Sequence, residues 1–261
     1  MRVGRHTERF ADRVDAGRAL GAPVARWLAG RRLGGRDDVL VLGLPRGGVP
    51  VAAQVAGAVD ARLDLLPVRK VGVPGQPELA MGAVAAIGDR LEVVTNEVLL
   101  DRLRIPEVVF RSVLEQELVE LRRRTLVYRG DRPPPTVGGR TVIIVDDGLA
   151  TGSTMRAAAA AVRRQDPAGV LVAVPVGAAD TCHLLRAEVD EVVCVLSPRP
   201  FRAVHQGYDD FRPTTDDDVR ACLTYHRGRM SPPGDRGRVN PDLGPDSAVE
   251  ESPGSTGQGG C

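Results

Sequence analysis

The sequence predicts an α/β protein with a doubly wound, mainly parallel β-sheet, helices on both faces, a small hood and a disordered C-terminal tail. Short aliphatic runs bounded by glycine or proline recur along the chain, and segments with helical patterns separate them. The final residues are instead rich in glycine and proline and poor in aliphatic side chains. We therefore expect one folded domain over residues 10–228 and a disordered tail over residues 229–261.

The first half of the chain predicts a strand–helix–strand unit. An N-terminal helix is indicated by Val14, Leu20, Val24 and Leu28 at near-helical spacing, with Pro23 expected to kink or split it. Next come a buried strand, "DDVLVLGL", a small-residue helix, "VPVAAQVAGAVD", and a second strand, "LDLLPVRKV". The segment "GVPGQPE" reads as a loop before two further short strands, "LAMGAVAAIG" and "LEVVT".

The second half continues the same alternation. An amphipathic helix is expected from Pro106, with Phe110, Leu114, Leu118 and Leu121 along one stripe. The remaining elements are a strand, a helix, a strand, a helix and a strand, in the order "TVIIVDD", "TGSTMRAAAAAVRRQ", "GVLVAVPV", "AADTCHLLRAE" and "DEVVCVLS". Such alternation is typical of a doubly wound sheet.

Composition excludes several functional classes. A net charge of +1 gives no general signal for binding nucleic acid, and no apolar run approaches the roughly 20 residues of a membrane-spanning helix. The four cysteines are widely separated and match neither a zinc site nor a disulfide framework. From these features, and from the polar start of the chain, we expect a cytoplasmic protein that binds neither nucleic acid nor membrane.

The stretch "VIIVDDGLATGST", residues 142–154, carries the main functional signal. Asp146 and Asp147 follow an aliphatic strand, at the sheet edge where ligands of parallel α/β proteins bind. The loop after them leads into a helix start, whose free amides and positive dipole end favour a phosphate. It is not a P-loop, because Ser153 stands where such a loop carries its lysine. Carboxylates beside a phosphate cradle suit a sugar phosphate, since they can accept hydrogen bonds from its hydroxyls.

This stretch closely resembles the signature of the type I phosphoribosyltransferases, which bind 5-phosphoribosyl-1-pyrophosphate (PRPP). The resemblance implies that Asp146 and Asp147 hold the ribose hydroxyls and, through them or through water, orient Mg²⁺. It also implies a PRPP phosphate loop formed by Gly148, Ala150, Thr151, Gly152, Ser153 and Thr154.

Two further segments resemble parts of that family. "LPRGGVPVA" is similar to its pyrophosphate loop, which implies that Arg46, Gly47 and Gly48 contact the leaving group. "VRKVGVPGQPELAMGAV" lies in the place of the mobile catalytic loop and resembles a bacterial and archaeal subgroup with an "RK(I/V)G-P-ELA-GA" pattern. Lys70, the only lysine of the chain, and Arg69 would then meet the pyrophosphate as this loop closes.

The resemblance implies an enzyme that displaces pyrophosphate from C1 of PRPP by a nucleobase or another nucleophile, and it allows a homodimer. Ala150 stands where purine-salvage relatives usually have an aspartate, which puts 6-oxopurine salvage in doubt. The hood is expected at residues 197–218, where Phe201, Tyr208 and Phe211 either stack on a base or pack in the core. The alternative function is a non-catalytic PRPP-binding regulator.

Overall fold

A computed structural model describes residues 9–31, 33–87, 90–130 and 132–230. Its main sheet has five parallel strands in the order β2-β1-β6-β7-β8. Their bounds are β1 Val39–Gly43, β2 Arg62–Leu65, β6 Thr141–Val145, β7 Gly169–Val176 and β8 Glu191–Leu196. The predicted α/β class and its parallel sheet are confirmed.

Helices cover both faces of this sheet. The helices α1 (Arg13–Ala29) and α2 (Gly48–Ala58) lie on one face, and α5 (Ser153–Arg163) and α6 (Ala179–Leu185) lie on the other. Side chains of each central strand alternate between the two cores: in β1, Val39 and Val41 face α1 and α2, whereas Leu40 and Leu42 face the opposite layer. Because every residue of β1, β6 and β7 is buried, these strands read as continuous aliphatic runs.

A second sheet is antiparallel, which the sequence did not predict. Its strands are β3 (Val68–Val73), β4 (Gln76–Ile87) and β5 (Arg90–Thr95), in sequence order. The expected single strand "LDLLPVRKV" is therefore wrong, because the chain changes sheets at Pro67. The Leu66 amide still donates to Gly43 of β1, whereas the Pro67 carbonyl accepts from Ala86 of β4.

The expected loop "GVPGQPE" is also wrong in form. Val73 pairs with Gln76, so Pro74 and Gly75 make a tight turn between β3 and β4. Gly75 has φ 78°, a value that other residues rarely adopt, which explains the glycine at this turn. The residues expected to interrupt the strands thus connect a β-hairpin.

The helices agree with the sequence prediction in part. Pro23 does not split α1, which continues through it with Leu20 and Val24 fully buried on either side. The helix α4 (Glu107–Arg129) confirms the predicted amphipathic segment, while α3 (Glu97–Leu103) and α7 (Asp216–Met230) were not predicted. The expected tail lies outside the described residues, apart from the end of α7.

The described residues contain neither a helix that could cross a membrane nor a cysteine in a disulfide bond. Within them, none of the helices is long and apolar enough to cross a membrane. Cys182, Cys194 and Cys222 are free thiols there, as their spacing indicated.

Candidate active site

The candidate site lies at the carboxyl edge of the main sheet, where β1 and β6 end side by side. Gly43 pairs with Val145, so the turn after β1 and the loop after β6 leave the sheet as neighbours. The first of these carries Arg46, Gly47 and Gly48, and the second carries the acidic pair. Parallel pairing thus brings together two predicted segments that lie about 100 residues apart in the sequence.

The glycine turn packs directly against the acidic pair. A Cβ atom on Gly47 would lie 1.9 Å from Oδ2 of Asp147, and one on Gly48 would lie 2.7 Å from the carbonyl oxygen of Val145. A side chain at residue 48 would therefore meet the backbone of the acidic loop, whereas one at residue 47 would displace the Asp147 carboxylate. Glycine at both positions lets the two loops approach this closely.

Two helices begin at this edge without side-chain caps. The N-cap is Gly47 in α2 and Gly152 in α5. Since glycine has no side chain, neither helix start receives a capping hydrogen bond from one. Gly152 has φ 77°, which lets the loop turn sharply into α5. The start of α5 leaves backbone N–H groups and a positive dipole end for an anion. In α2, by contrast, the amides of Gly48 and Val49 already donate to the carbonyls of Leu44 and Arg46, and Pro50 has no N–H group.

The loop between Asp147 and α5 is hydrogen-bonded to β7 and α6. The amide of Leu149 donates to the carbonyl of Val176 at 2.8 Å. The Thr181 hydroxyl donates to the carbonyl of Ala150 at 2.7 Å. Above the loop, a Cβ atom on Gly148 would lie 2.2 Å from Cγ1 of Val204, so the hood segment covers it. These contacts hold the loop against β7, α6 and the hood segment.

Hydroxyl groups line the same loop. Thr151 is exposed, and its Oγ1 lies 3.4 Å from Oγ of Ser153, while Ser153 and Thr154 are half-buried in the first turn of α5. These side chains add donors to the backbone amides of the helix start. Ala150 is exposed and brings no ionisable group, as the sequence indicated.

The acidic pair is electrostatically strained. Burial raises the pKa of Asp146 well above its ordinary value, and the charge of Asp147 adds to this shift. Burial also raises the pKa of Asp147, while the Arg13 guanidinium opposes that rise. Carboxylates in such a position gain from hydrogen-bond donors or cations brought by a ligand.

Two residues hold Asp147: Arg13, which sequence reasoning missed, and Tyr208, which it expected only to stack on a base or pack in the core. Arg13, the first residue of α1, donates from Nε to Oδ2 of Asp147 at 2.9 Å, and its Nη2 lies 2.8 Å from the same oxygen. The Tyr208 hydroxyl donates to the backbone carbonyl of Asp147 at 2.6 Å. No local signal marks Arg13, because its contact spans 134 residues of sequence.

The aromatic residues of the hood segment pack with each other. Tyr208 is 1% exposed, and its ring lies 5.9 Å from Phe10 and 4.9 Å from Phe211, between ring centroids. Phe201 and Phe211 are half-buried against the same cluster. For these side chains the structure therefore favours core packing over stacking on a base.

Arg46 leaves the glycine turn towards α7. Its Nη1 lies 3.7 Å from Oδ1 of Asp216, a residue of the first turn of α7. The Tyr128 hydroxyl donates to the same oxygen at 2.8 Å, and burial together with this bond raises the pKa of Tyr128 to about 12. A carboxylate thus contacts the side chain that the family resemblance assigns to pyrophosphate.

Arg69 and Lys70 lie on the antiparallel sheet rather than the main one. Nε of Arg69 donates to Oε2 of Glu117 in α4 at 2.6 Å. Lys70 is half-buried in β3, and both side chains line a cavity of about 870 Å³ between the β3–β4 hairpin and α4. The hairpin therefore belongs to the antiparallel sheet, whereas the acidic pair follows a strand of the main sheet.

The donor set fits Mg²⁺ only in part. The described residues contain no group of three or more His, Cys, Asp or Glu side chains that could hold a metal. Asp146 and Asp147 nevertheless supply carboxylate oxygens, and Mg²⁺ is commonly bound by one or two carboxylates together with substrate phosphates and water. The residues fit a metal that arrives largely coordinated by its ligand.

The fold and the site define an α/β protein in which a carboxylate pair and a helix start meet at the carboxyl edge of a parallel sheet, the edge where such proteins bind ligands. The sequence profile of the phosphoribosyl transferase domain matches residues 11–210. The chain belongs to this family.

Known relatives agree with this assignment. Two curated proteins from strains of Mycobacterium tuberculosis, named "Putative phosphoribosyl transferase" MT0597 and Rv0571c, are each 44% identical over 214 residues. The match covers 82% of this chain and 46% of each relative, so the chain spans about half the length of the curated relatives it matches. The crystal structure of TT1426 from Thermus thermophilus is 41% identical, with a TM-score of 0.69 over 83% of this chain and 98% of that one.

Proposed function

We propose that the protein is a PRPP-dependent phosphoribosyltransferase that displaces pyrophosphate from C1 of PRPP by a nucleobase or another nucleophile, with Mg²⁺, in the cytoplasm. One observation carries the proposal: Asp146 and Asp147 lie at one sheet edge between the start of α5 and the glycine turn that carries Arg46. A helix start, two hydrogen-bond acceptors and an arginine, in that order, match the 5-phosphate, the ribose hydroxyls and the pyrophosphate of PRPP.

Each part of the ligand has a partner in this arrangement. The amides at the start of α5, with Thr151, Ser153 and Thr154, suit the 5-phosphate. Asp146 and Asp147 suit the vicinal hydroxyls of the ribose. The guanidinium of Arg46, on the glycine turn, suits the pyrophosphate.

The reaction develops positive charge on the sugar and negative charge on the departing pyrophosphate, as in glycoside cleavage. Arg46, Arg69 and Lys70 are the side chains proposed to neutralise the leaving group. Bound Mg²⁺, held through Asp146 and Asp147 by way of ribose hydroxyls or water, would supply further positive charge beside the pyrophosphate oxygens. Movement of the β3–β4 hairpin towards the main sheet would bring Lys70 to the pyrophosphate and exclude water.

The acceptor is a small nucleophile, and a nucleobase is the class that the family resemblance favours. Ala150 provides no acid or base for a 6-oxopurine, which argues against purine salvage of that kind. The packed aromatic side chains of residues 197–218 also leave Tyr208 unsuited to stacking on a base.

A non-catalytic PRPP-binding regulator is the second candidate, and one observation favours it. Cations proposed for the leaving group are paired with carboxylates, Arg46 with Asp216 and Arg69 with Glu117. A regulator needs the sugar-phosphate cradle without the neutralising cations. Binding of PRPP is common to both functions, whereas turnover separates them.

The proposal is tested first by binding. We expect calorimetry to detect binding of PRPP with Mg²⁺, and the double variant Asp146→Asn/Asp147→Asn to lose most of that affinity. Neutral amides cannot make charge-assisted bonds to the hydroxyls. Unchanged affinity in the double variant would overturn the assignment of the site. Pyrophosphate release with a panel of purine, pyrimidine and non-base acceptors then separates enzyme from regulator.

A further inference from the structure

The side chain of Arg13 contacts three other residues. Nε and Nη2 both point to Oδ2 of Asp147, at 2.9 and 2.8 Å, and Nη1 donates to the carbonyl of Arg212 at 2.7 Å. Its guanidinium carbon lies 4.0 Å from the ring centroid of Phe211. With only 12% of the Arg13 side chain exposed, this is a fixed group rather than a solvated surface charge.

Arg13 contacts only one of the two carboxylate oxygens of Asp147. Both nitrogens of the fork meet Oδ2, so Oδ1 is not engaged by Arg13. Asp146 shows the same division, because its Oδ1 accepts the amide of Asp147 at 2.8 Å. Arg13 and the Asp147 amide thus engage one oxygen of each carboxylate, and these two contacts leave the second oxygen of each for a ligand. Two available oxygens match the two vicinal hydroxyls of a ribose.

Only arginine can make this set of contacts. A planar guanidinium bonds a carboxylate oxygen through two nitrogens, donates a third bond elsewhere and stacks on an aromatic ring at the same time. The ammonium of a lysine is a single point of charge and has no face to stack. Arg13 also joins three segments that are distant in sequence: α1, the acidic loop and residues 211–212.

We propose that Arg13 is a positioning residue for the sugar-binding carboxylate. It fixes the rotamer of Asp147 so that Oδ1 faces the ribose hydroxyl, and it does not itself touch the substrate. This role rests on the proposed function, and it deepens it by naming what orients one of the two acids. The competing explanation is that Arg13 only fastens α1 to the edge of the sheet.

The experiment compares PRPP affinity, measured by calorimetry with Mg²⁺, with melting temperature in matched variants. Arg13→Met removes the fork and keeps most of the aliphatic packing. Arg18→Met removes the same charge from an exposed position of α1. Val24→Ala removes methyl groups from a fully buried position of α1, and so loosens the helix without touching the site.

We expect Arg13→Met to weaken PRPP binding by about 10- to 100-fold, the loss typical of removing a partner that orients a metal-binding side chain. Arg18→Met and Val24→Ala should bind as the wild type does, although Val24→Ala melts at a lower temperature. Arg13→Lys should recover part of the affinity. In the Asp147→Asn background, Arg13→Met should cause little further loss, because Arg13 acts through that carboxylate.

Each failure has a distinct meaning. Two results would show that Arg13 is only a structural tie, and both would leave the proposed function intact. One is wild-type PRPP affinity in a folded Arg13→Met. The other is a loss of PRPP affinity in Val24→Ala as large as that in Arg13→Met for the same fall in melting temperature. If Arg13→Met does not fold, Arg13→Lys decides: full affinity in that variant would overturn the need for the fork. A wild-type protein that does not bind PRPP would overturn the proposed function and this role with it.

Discussion

Arg46 of the glycine turn and Asp216 of α7 form an ion pair, with 3.7 Å between Nη1 and Oδ1. The carboxylate stands beside the side chain that is proposed to meet pyrophosphate. An anionic ligand must therefore share Arg46 with Asp216 or displace it. Since 46% of the Arg46 side chain and 37% of the Asp216 side chain are exposed, the pair is screened by solvent and easily separated.

We predict that Asp216→Asn tightens the binding of PRPP or pyrophosphate, because a competing negative charge is removed from the anion site. An exposed pair of this kind is worth roughly 0.2–1 kcal/mol, which corresponds to about 1.5- to 5-fold in affinity. Calorimetry at low ionic strength measures the change. Asp217→Asn is the matched control, since Asp217 is the next residue of α7 and pairs with Arg220 instead. An equal gain in both variants would mean that general charge, not Arg46, is responsible.

A second prediction concerns the contact between the glycine turn and the acidic pair. We expect Gly47→Ala to weaken PRPP binding by about tenfold or more, because a methyl group would take the space of the Asp147 carboxylate and break its bond to Arg13. Overpacking of this kind typically costs about 1–3 kcal/mol of stability as well. Isothermal titration and thermal melting report the two effects separately.

The control for this variant lies in the same helix that the glycine turn begins. A Cβ atom on Gly57 would meet nothing within 4 Å, so Gly57→Ala should bind PRPP normally. It should also be slightly more stable, since alanine favours a helix over glycine by about 1 kcal/mol. Normal PRPP affinity in Gly47→Ala would show that Asp147 can move aside without consequence, and would contradict the need for close approach.

The sequence predicted the main sheet well because its signal is local. Fully buried parallel strands are continuous aliphatic runs, and Val39–Gly43 and Thr141–Val145 are of this kind. The acidic pair and its loop follow directly from the second of these strands. Parallel pairing of the two strands then placed the glycine turn beside the acids, as the family resemblance implied.

What the sequence did not predict depends on distant contacts or on overlooked turn chemistry. The hairpin turn at Pro74 and Gly75 was read as a loop, although proline followed by glycine also suits a tight turn. The start of α7 had a signal that was missed: Thr215 and Asp218 form reciprocal side-chain to backbone bonds, the pattern of a capping box. Arg13 had no such signal, since only the folded chain brings α1 to Asp147.

The last prediction concerns Lys70, which distinguishes an enzyme from a regulator. If movement of the hairpin brings Lys70 to the departing pyrophosphate, Lys70→Ala should slow pyrophosphate release far more than it weakens PRPP binding, because the negative charge grows towards the transition state. The expected loss in turnover is on the order of 100- to 1000-fold. Lys70→Arg should restore only part of it, since a planar fork cannot occupy the position of an ammonium group.

These variants are compared with Arg102→Ala, which removes an exposed cation from α3, outside both sheets. Turnover is measured at saturating PRPP with the acceptor that proves active, and PRPP affinity is measured by calorimetry. Wild-type turnover in Lys70→Ala would assign neutralisation of the leaving group to Arg46 or Arg69. Tight PRPP binding by the wild type without turnover on any acceptor would instead support the regulator, because the cradle would then be retained without the chemistry that Lys70 is proposed to serve.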